Sequence, residues 1–136
     1  MKYLLDTNVI VDLLRRTSPK LDSRIISCDS GDIVLSAIVL HELYYGAFKS
    51  RLRSAGLAAL DRLHFQILDF NREDARQAGE IRALLADRGA VIGPFDTLIA
   101  GQALARNLTL ITRNTREFSR VPNLRMEDWQ SESTAV

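Results

Sequence analysis

The chain has a single cysteine, Cys28, among its 136 residues. One thiol makes neither a disulfide framework nor a thiolate zinc site, so a reducing cytosol is the expected compartment and Cys28 is read as a small buried apolar residue. Lysine is almost as scarce. It occurs at positions 2, 20 and 49 and nowhere later, while arginine fills fifteen of the eighteen basic positions. A phosphate site built on a late lysine is therefore missing, although arginine is the better bidentate phosphate partner. The formal net charge of +1 excludes a polybasic nucleic-acid wrapper. No apolar stretch approaches membrane-spanning length. Met1-Lys2 runs directly into Tyr3-Leu4-Leu5 and the charged Asp6, without the apolar core of a secretory signal. Pro19, Pro94 and Pro122 each fit a turn or a helix start, and no repeat, low-complexity tract or Pro/Gly-rich linker divides the chain. The expectation is one cytoplasmic domain over residues 1–136, large enough for its own core and without a membrane partner.

Short apolar runs alternate with segments of helical spacing. Tyr3 to Leu5 is a strand candidate, closed by the hinge Asp6-Thr7-Asn8 and followed by helical spacing from Val9 to Arg15. Leu21 to Cys28 reads as a second helix. Ile33-Val34-Leu35 is β-branched strand sequence, with Ser36 placed to cap a helix running through Leu40, Leu43, Tyr44 and Ala47. A helix fits Ala55 to Leu63 and a strand Ile67-Leu68; Asn71 then caps a long helix from Glu73 to about Asp87 with an acidic first turn. Gly93-Pro94 turns into a helix from Thr97 to Arg106, Leu108 to Ile111 is the next strand, and Leu124 to Met126 offers a fifth. Strands spaced by helices predict an α/β fold, a mostly parallel sheet of four or five strands with helices on both faces.

Asp6, Glu42 and Asp96 lie far apart in the chain, yet each falls where an apolar run meets a helix or on the helix that follows it. In an open α/β sheet the strand-to-helix loops gather beyond the carboxyl ends of the strands, so scattered acids can converge there. Carboxylates brought together repel, and sharing a proton or binding a cation relieves the repulsion; the cation is favoured here. Each acid also has a structural role open to it. Asp6 can cap the first helix, but Thr7 and Asn8 are caps themselves, and the triplet carries more polar groups than one helix start needs. Glu42 can be a solvated helical residue, although the surrounding Val39-Leu40-His41-Glu42-Leu43-Tyr44-Tyr45-Gly46 leaves little of the helix to face water. Asp96 can be an N-cap and a site residue at once. Beside Glu42, a lone His41 is read as a packed or surface residue. Asn114 and Glu117, beyond the last strong strand, offer a further outer ligand or shape the turn.

Four stretches in order resemble the PIN-domain nucleases, and most closely the VapC toxins of bacterial toxin–antitoxin pairs. They are Leu4-Leu5-Asp6-Thr7-Asn8; Ser36-Ala37-Ile38 with His41-Glu42-Leu43-Tyr44-Tyr45-Gly46; Ile92-Gly93-Pro94-Phe95-Asp96-Thr97-Leu98-Ile99-Ala100; and Thr112-Arg113-Asn114-Thr115-Arg116-Glu117-Phe118. The resemblance implies a PIN-like three-layer α/β/α sandwich. It also implies a Mg²⁺- or Mn²⁺-dependent endoribonuclease with Asp6, Glu42 and Asp96 as its acidic triad, leaving 5′-phosphate and 3′-hydroxyl ends. A fourth acid is common in the family near the last strand; this chain has Asn114 in the turn and Glu117 close by. Asp6 and Asp96 are the expected principal metal ligands, and Glu42 a ligand or the group orienting the attacking water. Thr7, Asn8, Thr112 and Asn114 are expected around them, and Arg113 and Arg116 on the RNA backbone. The resemblance further implies a VapB-type antitoxin whose C-terminal segment covers the site and whose N-terminal part binds operator DNA, and a toxin homodimer. Tyr44, Tyr45, Phe48 and Leu52 are the apolar residues compatible with such a partner, or with the core. Among such toxins' substrates, structured RNAs such as initiator tRNA are the expectation.

Three other functions fit parts of the chain. A haloacid-dehalogenase-like phosphatase would use Asp6 in its nucleophile loop, and a receiver domain would use Asp69 as phosphoacceptor; both need the missing late lysine. A non-catalytic PIN-like binding module would be expected to have lost acids, and this chain keeps all three.

Overall fold

The apolar runs assemble into five strands, all paired in parallel, in a computed structural model that describes residues 1–131. The strands are β1 (Tyr3–Leu5), β2 (Ile33–Ser36), β3 (Gln66–Leu68), β4 (Thr109–Ile111) and β5 (Met126–Glu127), in the order β3-β2-β1-β4-β5. Helices α1 (Thr7–Arg15), α2 (Pro19–Ser27), α3 (Ala37–Lys49), α4 (Arg53–Asp61), α5 (Arg72–Asp87), α6 (Pro94–Ala105) and α7 (Thr115–Phe118) connect them. A parallel sheet needs crossover connections that cover its faces. Leu4, Leu5, Val34, Leu35, Leu110 and Ile111 on the three central strands are accordingly buried. This is the three-layer α/β/α arrangement that the alternation predicts. None of the described helices is long and apolar enough to cross a membrane.

The chain builds outward from β1 through β2 to β3 and then returns to lay β4 on the other side of β1. That reversal is a topological switch point, where ligands of open α/β sheets bind. In register, Leu5 pairs with Ile111, and the Asp6 amide donates to the Ile111 carbonyl at 2.9 Å. The residues that follow the two strands, Asp6 and Thr112, therefore emerge side by side.

Several boundaries differ from the sequence reading. Helix α6 begins at Pro94, with Gly93 as its N-cap, so Asp96 is not an N-cap; it lies in the first turn. Proline at the first helical position explains the earlier start, since it needs no hydrogen bond there. The same chemistry starts α2 at Pro19 behind a Ser18 cap. The turn after β4 continues into α7, a helix absent from the sequence reading, and β5 lies at Met126–Glu127. Cys28 is half-buried at the end of α2 rather than fully buried. Helix α3 does show a face to water, carrying His41, Tyr45 and Phe48.

Helices α5 and α6 pack with almost no gap. A Cβ placed on Gly101 would sit 2.6 Å from backbone atoms of Ala78, so only glycine permits this approach. Asn71 and Asp74 form a reciprocal capping box at the start of α5. Asp74, fully buried, also accepts from Gln102 at 3.0 Å and from both Arg106 Nε (3.1 Å) and Arg106 Nη2 (3.0 Å) of α6 and its cap. Burial alone pushes the Asp74 carboxyl up, but the bonds from Arg106, the Asn71 amide and Gln102 outweigh it and hold it below its ordinary value. Two outcomes follow. Gly101→Ala forces α5 away and costs about 2 kcal/mol or more, read as a lower urea midpoint at unchanged slope. Asp74→Asn loses stability at neutral pH; because the native pKa is depressed, the wild-type advantage is full above about pH 4 and fades as pH falls below it.

Candidate active site

Asp6 leaves β1 as the N-cap of α1 and is only 5% exposed. Its Oδ1 accepts from the Thr7 amide at 2.9 Å, and its Oδ2 from the Thr112 hydroxyl at 2.8 Å. Thr112 in turn accepts from the Asn114 amide at 2.9 Å, so the turn after β4 is braced on the same hydroxyl. Glu42, half-buried on α3, accepts from the Thr7 hydroxyl at 2.9 Å. Thr7 thus bridges two acids that are thirty-six positions apart in the chain: its amide binds Asp6 and its hydroxyl binds Glu42.

Asp96 and Glu117 complete the group around Gly93. A Cβ at Gly93 would lie 3.3 Å from Asp96 Oδ2 and 4.0 Å from Glu117 Oε1. The Gly93 amide donates to Glu117 Oε1 at 3.0 Å, and Asn114 Nδ2 donates to Glu117 Oε2 at 2.5 Å. These two bonds lead in holding Glu117 below its ordinary value. Asp96 goes the other way. Burial first, then the negative charges of Asp6, Glu117 and Glu42, push its carboxyl up to about 7. Burial also raises Asp6, against the lowering bonds from Thr112 and the Thr7 amide, and Glu117 adds a further upward push.

Four carboxylates therefore feel one another, and among the described residues none of them is in a salt bridge. Oxygen donors with uncompensated negative charge suit a hard divalent cation rather than a thiophilic one. Asp6, Glu42 and Glu117 are turned onto hydroxyl and amide partners, and among the described residues no three of His, Cys, Asp and Glu already stand in ion-holding geometry. Binding would require the carboxylates to swing inward.

The other residues singled out by sequence fall at different distances from this group. Asn8 is exposed on α1. Arg113 is exposed and paired with Asp12 at 2.9 Å. Arg116 is exposed on α7. Asp69 is exposed past β3, next to the sheet's edge; its carbonyl accepts from Gln102 and Arg106. His41 is exposed and its ring meets Phe95 at 5.1 Å. Sequence reasoning missed α7, which brings Glu117 to Gly93. The signal was present as Asn114-Thr115-Arg116-Glu117, the spacing of a capping box, but here the glutamate reaches Gly93 instead of closing the box.

An acidic cleft at the switch point of a five-stranded parallel sheet is the architecture of a PIN domain, and the PIN domain family model matches residues 3–124. The chain is 39% identical over 131 residues to the tRNA(fMet)-specific endonuclease VapC of Shigella flexneri, covering 95% of this chain and 98% of that one. It is 37% identical over 132 residues to ribonuclease VapC2 of Rickettsia felis, with the same coverage. Among solved structures, DNA-bound VapBC from Salmonella typhimurium superposes with a TM-score of 0.90 at 37% identity, over 95% of this chain and 98% of that chain. FitAcB from Neisseria gonorrhoeae gives a TM-score of 0.82 at 29% identity, over 93% and 97% of the two chains. The chain belongs to the PIN-domain family and, within it, to the VapC ribonuclease toxins.

The raised Asp96 has a thermodynamic consequence. An acid whose native pKa lies above its unfolded value of about 4 binds more protons when folded, so stability falls as pH rises from about 4 through 7. In EDTA at pH 8, Asp96→Asn is expected to melt above wild type, and the gap to shrink as pH falls toward 4. Equal melting temperatures across that range would show that burial and the neighbouring acids do not raise the Asp96 carboxyl.

Proposed function

We propose that this toxin is a divalent-metal-dependent endoribonuclease that cuts initiator tRNA, and that Asp6, Glu42 and Asp96 carry the reaction with Glu117 in the outer position. The observation that supports it most directly is the gathering of Asp6, Glu42, Asp96 and Glu117 without a salt-bridge partner among the described residues, where burial first and then the neighbouring negative charges push Asp96 up to about 7. The donor set fits Mg²⁺ or Mn²⁺, and such an ion, when bound, supplies Lewis acidity toward the phosphodiester and lowers the pKa of water.

The chain's own residues orient the parts. Asp6 and Asp96 are the principal ligands, Glu42 a ligand or the group that directs the attacking water. Thr7 aims Glu42 through its hydroxyl, and Thr112 holds Asp6 Oδ2. Outer partners of this kind set ligand direction and typically change metal affinity or activity by 10–100-fold. Asn114 and the Gly93 amide keep Glu117 charged and facing the cluster. Hydrolysis then joins a water oxygen to phosphorus and breaks the bond to the 3′ oxygen, which takes up a proton. The exposed Arg113 and Arg116 are assigned as RNA-backbone contacts and the exposed Asn8 as an outer polar contact. The initiator-tRNA substrate is supported by the activity named for the Shigella relative.

The same protein acts in the cytoplasm as a homodimer with a VapB-type antitoxin, and meets operator DNA only through that antitoxin. The solved DNA-bound VapBC and the FitAcB relatives support the antitoxin and DNA partners. A protein partner is also supported by the apolar surface of α3 and the turn after it, where Tyr45, Phe48 and Leu52 are 60%, 52% and 73% exposed. The deciding experiment is cleavage of total bacterial RNA by antitoxin-free protein with Mg²⁺ or Mn²⁺, against EDTA and Asp96→Asn, with mapped ends. A discrete initiator-tRNA product that drops more than about a hundredfold in the variant is expected. Equal cutting by Asp96→Asn would overturn the site assignment.

A further inference from the structure

Two aromatic rings stand on the rim of the acidic cleft without a part in the chemistry above. Phe95 precedes Asp96 on the first turn of α6 and is 42% exposed. His41 precedes Glu42 on α3 and is also exposed. Their ring centroids lie 5.1 Å apart with planes inclined at 56°, so the pair bridges the two helices that carry these acids. Neither ring closes the core, and both stay exposed one residue away in the chain from Asp96 and Glu42.

We propose that Phe95 and His41 form a stacking platform for one base of the substrate RNA, that of a nucleotide next to the phosphate being cut. The inference rests on the assignment of the acids as the cutting site. Four carboxylates repel the approaching phosphodiester, and a cation placed among them would pair with the acids instead. Stacking is uncharged and escapes both difficulties. Bases splayed out of single-stranded loops stack on Phe and His side chains, and because every base has a π face this fixes position rather than sequence. Phe95 is thus a positioning residue: with its ring adjacent in sequence to Asp96, a base resting on it sets where the backbone crosses the acids.

The test is binding of 5′-fluorescein-labelled initiator tRNA, and of a random RNA heptamer, to antitoxin-free protein in EDTA across a salt series, followed by cleavage with Mg²⁺. Phe95→Ala and His41→Ala are expected to weaken both RNAs, Phe95→Ala about tenfold, and Phe95→Trp to restore binding. The dependence of log Kd on log salt stays unchanged, because no phosphate contact is lost. Cleavage of the tRNA falls in parallel. The platform is overturned if Phe95→Ala binds and cuts as wild type does, or if its loss appears as a changed salt slope. It is equally overturned if Phe95→Ala alters the sedimentation mass of the free protein, which would assign the ring to contact with a second copy, or weakens antitoxin binding while leaving RNA binding intact. Wild-type protein that neither binds nor cuts either RNA would instead overturn the ribonuclease assignment of the site, a failure distinct from that of the platform alone.

Discussion

The pairing of β1 with β4 is the constraint on which both the sheet and the cleft depend. These strands are neighbours in space but are separated by almost the whole chain, and their register ends with Leu5 beside Ile111. One further residue on each side delivers Asp6 and Thr112 to the same spot, joined by a 2.8 Å hydrogen bond. A shift of a single residue in a strand turns its side chains to the opposite face. It would exchange the side chains packed against the two helical layers and part Asp6 from Thr112 in one movement, so core packing enforces the register and the register builds the cleft. Thr7 and Gly93 extend the same logic to α3 and α7, where a hydroxyl fastens Glu42 and a backbone amide fastens Glu117.

Much of the fold was legible because its signals are local. The β-branched run at Ile33-Val34-Leu35, the caps at Ser36 and Asn71, and the periodicity of α5 each declare themselves within a few residues. The start of α6 is harder to read, because Pro94 after Gly93 suits both a turn and the first helical position, and the structure uses the second. The acids Asp6, Glu42 and Asp96 were legible as candidates from their places after strands and at helix starts, helped by the family resemblance. Their partners were not. That Thr7 reaches Glu42, that Thr112 reaches Asp6 and that Glu117 folds back to Gly93 are facts of tertiary geometry, with no signature in spacing. The face that α3 shows to water was unreadable for a related reason: an apolar composition does not say which side lacks a covering element.

The charges are distributed with a clear polarity along the molecule. Like charges gather at the switch point, whereas the buried Asp74 and the half-buried Arg106 form an opposite-charge pair at the other end of α6. A cluster of repelling carboxylates is a strained arrangement, stable only where surrounding structure over-determines it. Here the surroundings include a close backbone approach between helices, Gly101 against Ala78.

Helix α6 is thereby a beam fastened at both ends. Its C-terminal half is clamped to α5 by Asp74 and Arg106, and its first turn, which carries Asp96, is tied by the Gly93–Glu117 bond and by Phe95 against His41. The heavier clamp is the one away from the cleft. Sequence can therefore drift around the rim, adapting the cleft to a different RNA loop or a different protein cover, without loosening the mount. The converse also holds: damage to the clamp reaches the cleft as displacement, from residues that never touch it.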